Sequence, residues 1–124
     1  MGKFKFAPAS RDEKTVFGAE RPGYGSLSVG GKQIRGWVSF MKEHEIERVC
    51  SLLSPDQLGY YREDLLQIYR QAFGQDAVCW APVQDFHLVQ KEALTGTILP
   101  FLRHSDERGE PVVVHCSGGI GRTG

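Results

Sequence analysis

The chain has 124 residues, and its 15 Lys+Arg are balanced by 15 Asp+Glu, which leaves no formal net charge. That balance argues against recruitment to nucleic acid or a membrane surface by excess cationic charge. With 40% hydrophobic and 24% charged residues, the composition is that of one globular domain rather than a disordered chain. No stretch approaches the roughly 20 apolar residues of a bilayer span, so a soluble protein is expected.

Residues 1–14 are polar and poorly patterned, and residues 15–124 are read as one domain. Met1 to Phe6 lacks the apolar core of a secretory signal, and Phe6 stands where a myristoylation motif requires Ser or Thr. Thr15-Val16-Phe17 predicts a short strand before a turn-rich stretch whose sharpest break is Arg21-Pro22-Gly23. Ile34, Trp37, Val38 and Met41 then share one helical face, which predicts a helix over 32–44.

Val49 to Leu53 reads as a buried strand stopped by Ser54-Pro55-Asp56. After it, Leu58, Tyr61, Leu65, Ile68 and Ala72 recur at helical spacing, predicting a second helix ended by Gly74. Ala77 to Trp80 is a further short strand, closed by Ala81-Pro82. Residues 90–104 are helical in pattern, with Pro100 expected to bend or break the helix. Asp106 to Glu110 reads as a turn, and Pro111 to Val114 as an interior strand. Strands alternating with helices predict an α/β fold with a mostly parallel central sheet and flanking helices. Ligands in such sheets bind at the carboxyl ends of the strands.

Three cysteines, Cys50, Cys79 and Cys116, are an odd number without framework spacing. They suit a reducing compartment, with the cytoplasm as default. Cys50 and Cys79 read as small core residues, with the alternative that one of them resolves an oxidised Cys116. His44, His87 and His104 lack metal-ligand spacing, and no metal or other cofactor is predicted.

The chemistry concentrates after the last strand, in His115-Cys116-Ser117-Gly118-Gly119-Ile120-Gly121-Arg122-Thr123-Gly124. Successive backbone N–H groups of such a loop can turn inward around a tetrahedral oxyanion. Gly118, Gly119 and Gly121 ease the turn, and Ser117 and Ile120 complete the ring of amides. The Arg122 guanidinium can close over two oxygens as a planar fork. Cys116, at the base of those donors, is then favoured as a thiolate and becomes a nucleophile aimed at phosphorus.

This ten-residue segment resembles the signature of cysteine-dependent protein tyrosine phosphatases, departing from the usual form only at Gly118, where that family commonly has Ala. The resemblance implies that Cys116 forms a phosphocysteine intermediate, that Arg122 binds phosphate and the transition state, and that Thr123 stabilises the leaving thiolate. His115 would tune and orient Cys116. The chain also resembles the family in Pro82-Val83-Gln84-Asp85-Phe86, which makes Asp85 the general acid in the first step and the general base in the second. The order of motifs and compact size resemble the dual-specificity group. The loop has no Lys between Cys116 and Arg122, which favours phosphotyrosine or phosphoprotein substrates over phosphoinositides and leaves phosphoserine and phosphothreonine open.

Three other readings fit less well. Gly119 to Gly124 matches a dinucleotide fingerprint, but the helix, strand and acidic partner that should follow are missing. A Walker loop needs a Lys after the glycines. A sulfurtransferase leaves Arg122-Thr123 and Asp85 unexplained. The chain ends at Gly124, where a phosphate cradle normally leads into a helix whose first turn supplies free N–H donors. An incomplete catalytic domain lacking its C-terminal helices is therefore expected, the alternative being an inactive fragment that at most binds phosphorylated partners.

Overall fold

In the computed structural model, residues 4, 6–8, 15–24, 26, 28–82 and 94–116 are described. The run Pro111 to Val114 forms the centre of the sheet. It belongs to β5 (Val112–Cys116), whose three valines are buried. β5 is flanked on one side by β2 (Val16–Glu20) and on the other by β3 (Arg48–Ser51), both parallel to it. β4 (Val78–Trp80) extends the parallel array beyond β3, and β1 (Ala7–Pro8) pairs antiparallel with β2, giving the order β1-β2-β5-β3-β4. The predicted α/β class with a mostly parallel sheet is the one observed.

The strands alternate between two faces. Val49, Val113 and His115 meet helices α1 (Gly31–Glu43) and α3 (Leu65–Phe73), whereas Cys50, Val112 and Val114 face the opposite way. α1 buries the predicted stripe Ile34, Trp37, Val38 and Met41. The opposite face meets a wide helical turn over Leu94–Ile98 that runs into α4 (Leu99–Arg108).

Two predicted boundaries are corrected. The expected helix from Leu58 to Ala72 is two elements, a single turn α2 (Pro55–Leu58) and α3, each with its own cap. The Ser54 hydroxyl accepts from Gln57 N at 3.3 Å, and the Asp64 carboxylate accepts from Gln67 N at 3.1 Å. Between them Tyr61 makes a bridge to Val29, with Val29 N donating to Tyr60 O and Arg62 N to Val29 O. A backbone committed to that bridge cannot complete a helical ladder.

Pro100 does not break its helix. The helical run continues past it, but the wide turn over Leu94–Ile98 changes to α-helical register just before it, the irregularity expected at this proline. The predicted turn at Asp106 to Glu110 begins later, because α4 continues to Arg108 and ends on Gly109 in the left-handed conformation, φ 67°. In the β2–α1 connection, Gly23 combines φ 67° with an approach to Val29 so close that a Cβ would overlap it.

Candidate active site

Four parallel strands bring their carboxyl ends to one edge of the sheet. Arg21 follows β2, Leu52 follows β3, Ala81 follows β4, and Cys116 is the last residue of β5, with its backbone in register with Glu20. The predicted nucleophile therefore stands at the carboxyl end of the central strand, where α/β sheets bind ligands. The rest of the predicted cradle, Ser117, Gly118, Gly119, Ile120, Gly121, Arg122 and Thr123, lies outside the described residues, as does Asp85.

His115 is fully buried. Its Nε2 lies 2.9 Å from Tyr69 Oη, and its ring meets Trp37 edge-on at 5.3 Å between centroids and Tyr69 at 5.7 Å. Trp37 and Tyr69 stack on each other at 5.4 Å, closing an aromatic box around the imidazole. Burial, and then the nearby Tyr61, push the Tyr69 hydroxyl well above its ordinary value, so it stays a neutral partner for the ring. The backbone is tied as firmly: His115 O accepts from Leu52 N at 2.8 Å, and the Trp37 indole N–H donates to Glu20 O at 2.9 Å, beside Cys116 in the register.

Sequence reasoning singled out His115 but missed its partner Tyr69 and read Trp37 as packing alone. It also read Arg21 only as part of a turn. Arg21 is 2% exposed, donates to Ser26 O at 2.7 Å and Tyr61 Oη at 3.3 Å, and lies over the Tyr60 ring at 5.0 Å. Among the described residues its buried Nε finds no partner and no carboxylate pairs with it. A buried guanidinium thus sits one residue beyond the register partner of Cys116. Its place directly after β2 was hidden, because that strand runs three residues past its predicted end at Phe17.

At the neighbouring strand ends, the Trp80 indole donates to Leu53 O at 2.7 Å and Ala81 N donates to Ser51 O at 2.9 Å, fixing the exit of β4 toward the segment that holds Asp85. Among the described residues no three His, Cys, Asp or Glu side chains gather as a metal site requires. No helix among them is long and apolar enough to cross a membrane.

No family model matches the chain, and no curated protein matches it in sequence. Solved structures do. A mutant form of the archaeal phosphatase Tk-PTP superposes with a TM-score of 0.65 at 19% identity, covering 92% of this chain and 63% of that one. The PTP-2 phosphatase of the insect Cydia pomonella gives a TM-score of 0.62 at 15% identity, covering 98% of this chain and 65% of that one. The chain has the fold of protein tyrosine phosphatases and spans less than two thirds of the length of these two structures.

Proposed function

We propose that the chain is a cysteine-dependent protein phosphatase domain that hydrolyses phosphotyrosine, and other phosphoprotein monoesters that reach the same cradle, through a phosphocysteine at Cys116. The observation that carries this reading is the coincidence of Cys116 with the carboxyl end of the central strand in a sheet of phosphatase topology. In the sequence, Ser117 to Thr123 follow it directly.

In this reading the Cys116 sulfur attacks phosphorus, the P–S bond forms as the ester P–O bond breaks, and Asp85 protonates the departing oxygen. Amides of Ser117, Gly118, Gly119, Ile120 and Gly121, together with Arg122, hold the three non-bridging oxygens as charge shifts in the transition state. Asp85 then takes a proton from water, which attacks the phosphocysteine. The Thr123 hydroxyl donates to the sulfur as it leaves. His115, clamped by Tyr69 and Trp37, holds the strand end that carries the nucleophile. The compact order of motifs is that of the dual-specificity group, and the unpaired cysteine count supports a cytoplasmic setting.

Phosphate release from para-nitrophenyl phosphate and from a phosphotyrosyl peptide tests the reading. Activity that vanishes in Cys116→Ser and persists with chelator present is expected. Equal activity in the two proteins would overturn the cysteine mechanism. A second reading is a phosphate binder that keeps the same cradle without turnover. It predicts no phosphate release but retained phosphopeptide binding in both proteins.

A further inference from the structure

A second pair of sulfurs lies on the same sheet. Cys50 on β3 and Cys79 on β4 are register partners, so their side chains leave the sheet on one face, and both join the cluster of Leu52, Val112, Val114 and Ile98. Adjacent strands are about 4.8 Å apart, within the span of about 4.4–6.8 Å between Cα atoms that a disulfide bridges. The two thiols are near enough to shift each other's titration in opposite directions.

Their surroundings are unequal. Cys50 is fully buried between β5 and β4, whereas Cys79 keeps 8% of its surface and lines a shallow cleft of about 630 Å³ along the β4 edge. Arg48, Phe101 and His104 line the same cleft. Arg48 is 5% exposed, lies over the Phe101 ring at 4.1 Å and donates to Glu110 at 3.3 Å, yet among the described residues its buried Nε has no partner. A buried cation therefore lines the cleft beside a sulfur.

The neighbouring Cys50 holds the Cys79 thiol below its ordinary value, burial opposing it and the Arg48 charge assisting. Cys79 in turn, together with burial, pushes Cys50 up. Of the two sulfurs, the one at the cleft is therefore the readier to ionise and the one behind it the more firmly protonated.

We propose that Cys79 and Cys50 form a hydroperoxide-reactive dithiol, separate from Cys116, in which Cys79 attacks the oxidant and Cys50 captures the product as a cross-strand disulfide. The Cys79 thiolate attacks one peroxide oxygen, the S–O bond forms as the O–O bond breaks, and the second oxygen leaves as hydroxide. Sulfur is oxidised to a sulfenic acid and the peroxide is reduced. The Cys50 sulfur then attacks the sulfenic sulfur, its proton departs with the displaced hydroxyl as water, and the S–S bond closes. Two thiols and one hydrogen peroxide give one disulfide and two waters. No strand has to slide, because β3 and β4 are already in register.

The proposal stands apart from the phosphatase reading, and its test removes the phosphatase sulfur. The Cys116→Ser chain is exposed to hydrogen peroxide, alkylated, digested and mapped by mass. One intrachain peptide pair joining Cys50 to Cys79, lighter by two hydrogens and reversed by dithiothreitol, is the expected product. Its formation should be faster in the folded chain than in the same chain in urea, because the fold holds the two sulfurs as register partners and favours ionisation of Cys79. Adding Cys50→Ala should leave a sulfenic acid on Cys79 that dimedone traps, and Arg48→Gln should slow the reaction. Two thiols still alkylated after peroxide, a rate equal in urea, crosslinks only between chains, or a dimedone adduct on Cys50 would each overturn it. The peptide map of the Cys116→Ser chain decides the matter even where the added substitutions do not fold.

Discussion

On the face of the sheet that carries His115, the space between β5 and helices α1 and α3 is filled by large interlocking rings. Trp37 and Tyr69 are fully buried there and stacked on one another. On the opposite face, the described cluster is Cys50, Leu52, Cys79, Ala81, Ile98, Val112 and Val114, with Phe101 and Leu102 only partly buried against it, so no pair of fully buried stacked rings fills it. Large rings with two torsions each cannot rearrange without opening a cavity, so the first face holds a strand end in one orientation. On the second face, Cys79 lines a shallow cleft. One sheet thus separates a face that fixes geometry from a face that admits chemistry.

The largest expected effect lies on the ring-filled face. Trp37→Ala removes the main wall of the box and the hydrogen bond to Glu20 O, and should cost about 3–5 kcal/mol, read as a fall in the urea midpoint. Cys79→Ala, at the margin of the cleft, should cost about 1 kcal/mol. Equal losses would break the contrast between the faces.

Tyr69→Phe sharpens it. The ring keeps its stack on Trp37, while the hydroxyl 2.9 Å from His115 Nε2 is lost and the imidazole nitrogen loses that partner. The expected stability loss is about 1–3 kcal/mol. If the box positions Cys116 through His115, kcat on para-nitrophenyl phosphate falls with little change in KM, and the acidic limb of the pH profile moves. A purely structural hydroxyl would lower stability and leave the profile where it was.

Much of this arrangement is legible in the chain. Three consecutive valines between Pro111 and His115 have few solutions other than an interior strand, and Ile34, Trp37, Val38 and Met41 describe one helical stripe. The stripe from Leu58 to Ala72 misleads, because Tyr61 satisfies the same spacing while it pairs with Val29 across the fold. Periodicity records which residues are buried, not what buries them.

At the site, Cys116 and His115 are readable because they end a recognisable strand. Tyr69 and Arg21 are not, since their relation to that strand end exists only after the helices have docked. The pairing of Cys50 with Cys79 depends on strand register, which two short apolar runs do not specify. Asp85 and Ser117 to Thr123 rest on sequence alone, being outside the described residues.

The smallest effect is expected at the amino end of β5, far from the ring box. Glu110 accepts from Arg108 Nε at 3.0 Å and from Arg48 at 3.3 Å. The Arg108 hydrogen bond, resisted by slight burial and helped by Arg48, holds its carboxyl below the ordinary value. A carboxylate with a lower value folded than unfolded binds fewer protons in the native state, so unfolding takes up protons as the pH falls. Its contribution is complete above the unfolded carboxylate value of about 4.3 and is lost as pH drops through the folded value. Glu110→Gln should therefore lower the urea midpoint slightly at neutral pH and make no difference in acid below the folded value. Turnover should be unchanged, because among the described residues the Glu110 carboxylate pairs with Arg108 and the cleft-lining Arg48, and neither belongs to the box around His115. A change in the pH profile of turnover on losing Glu110 would mean that the two faces are coupled through β5.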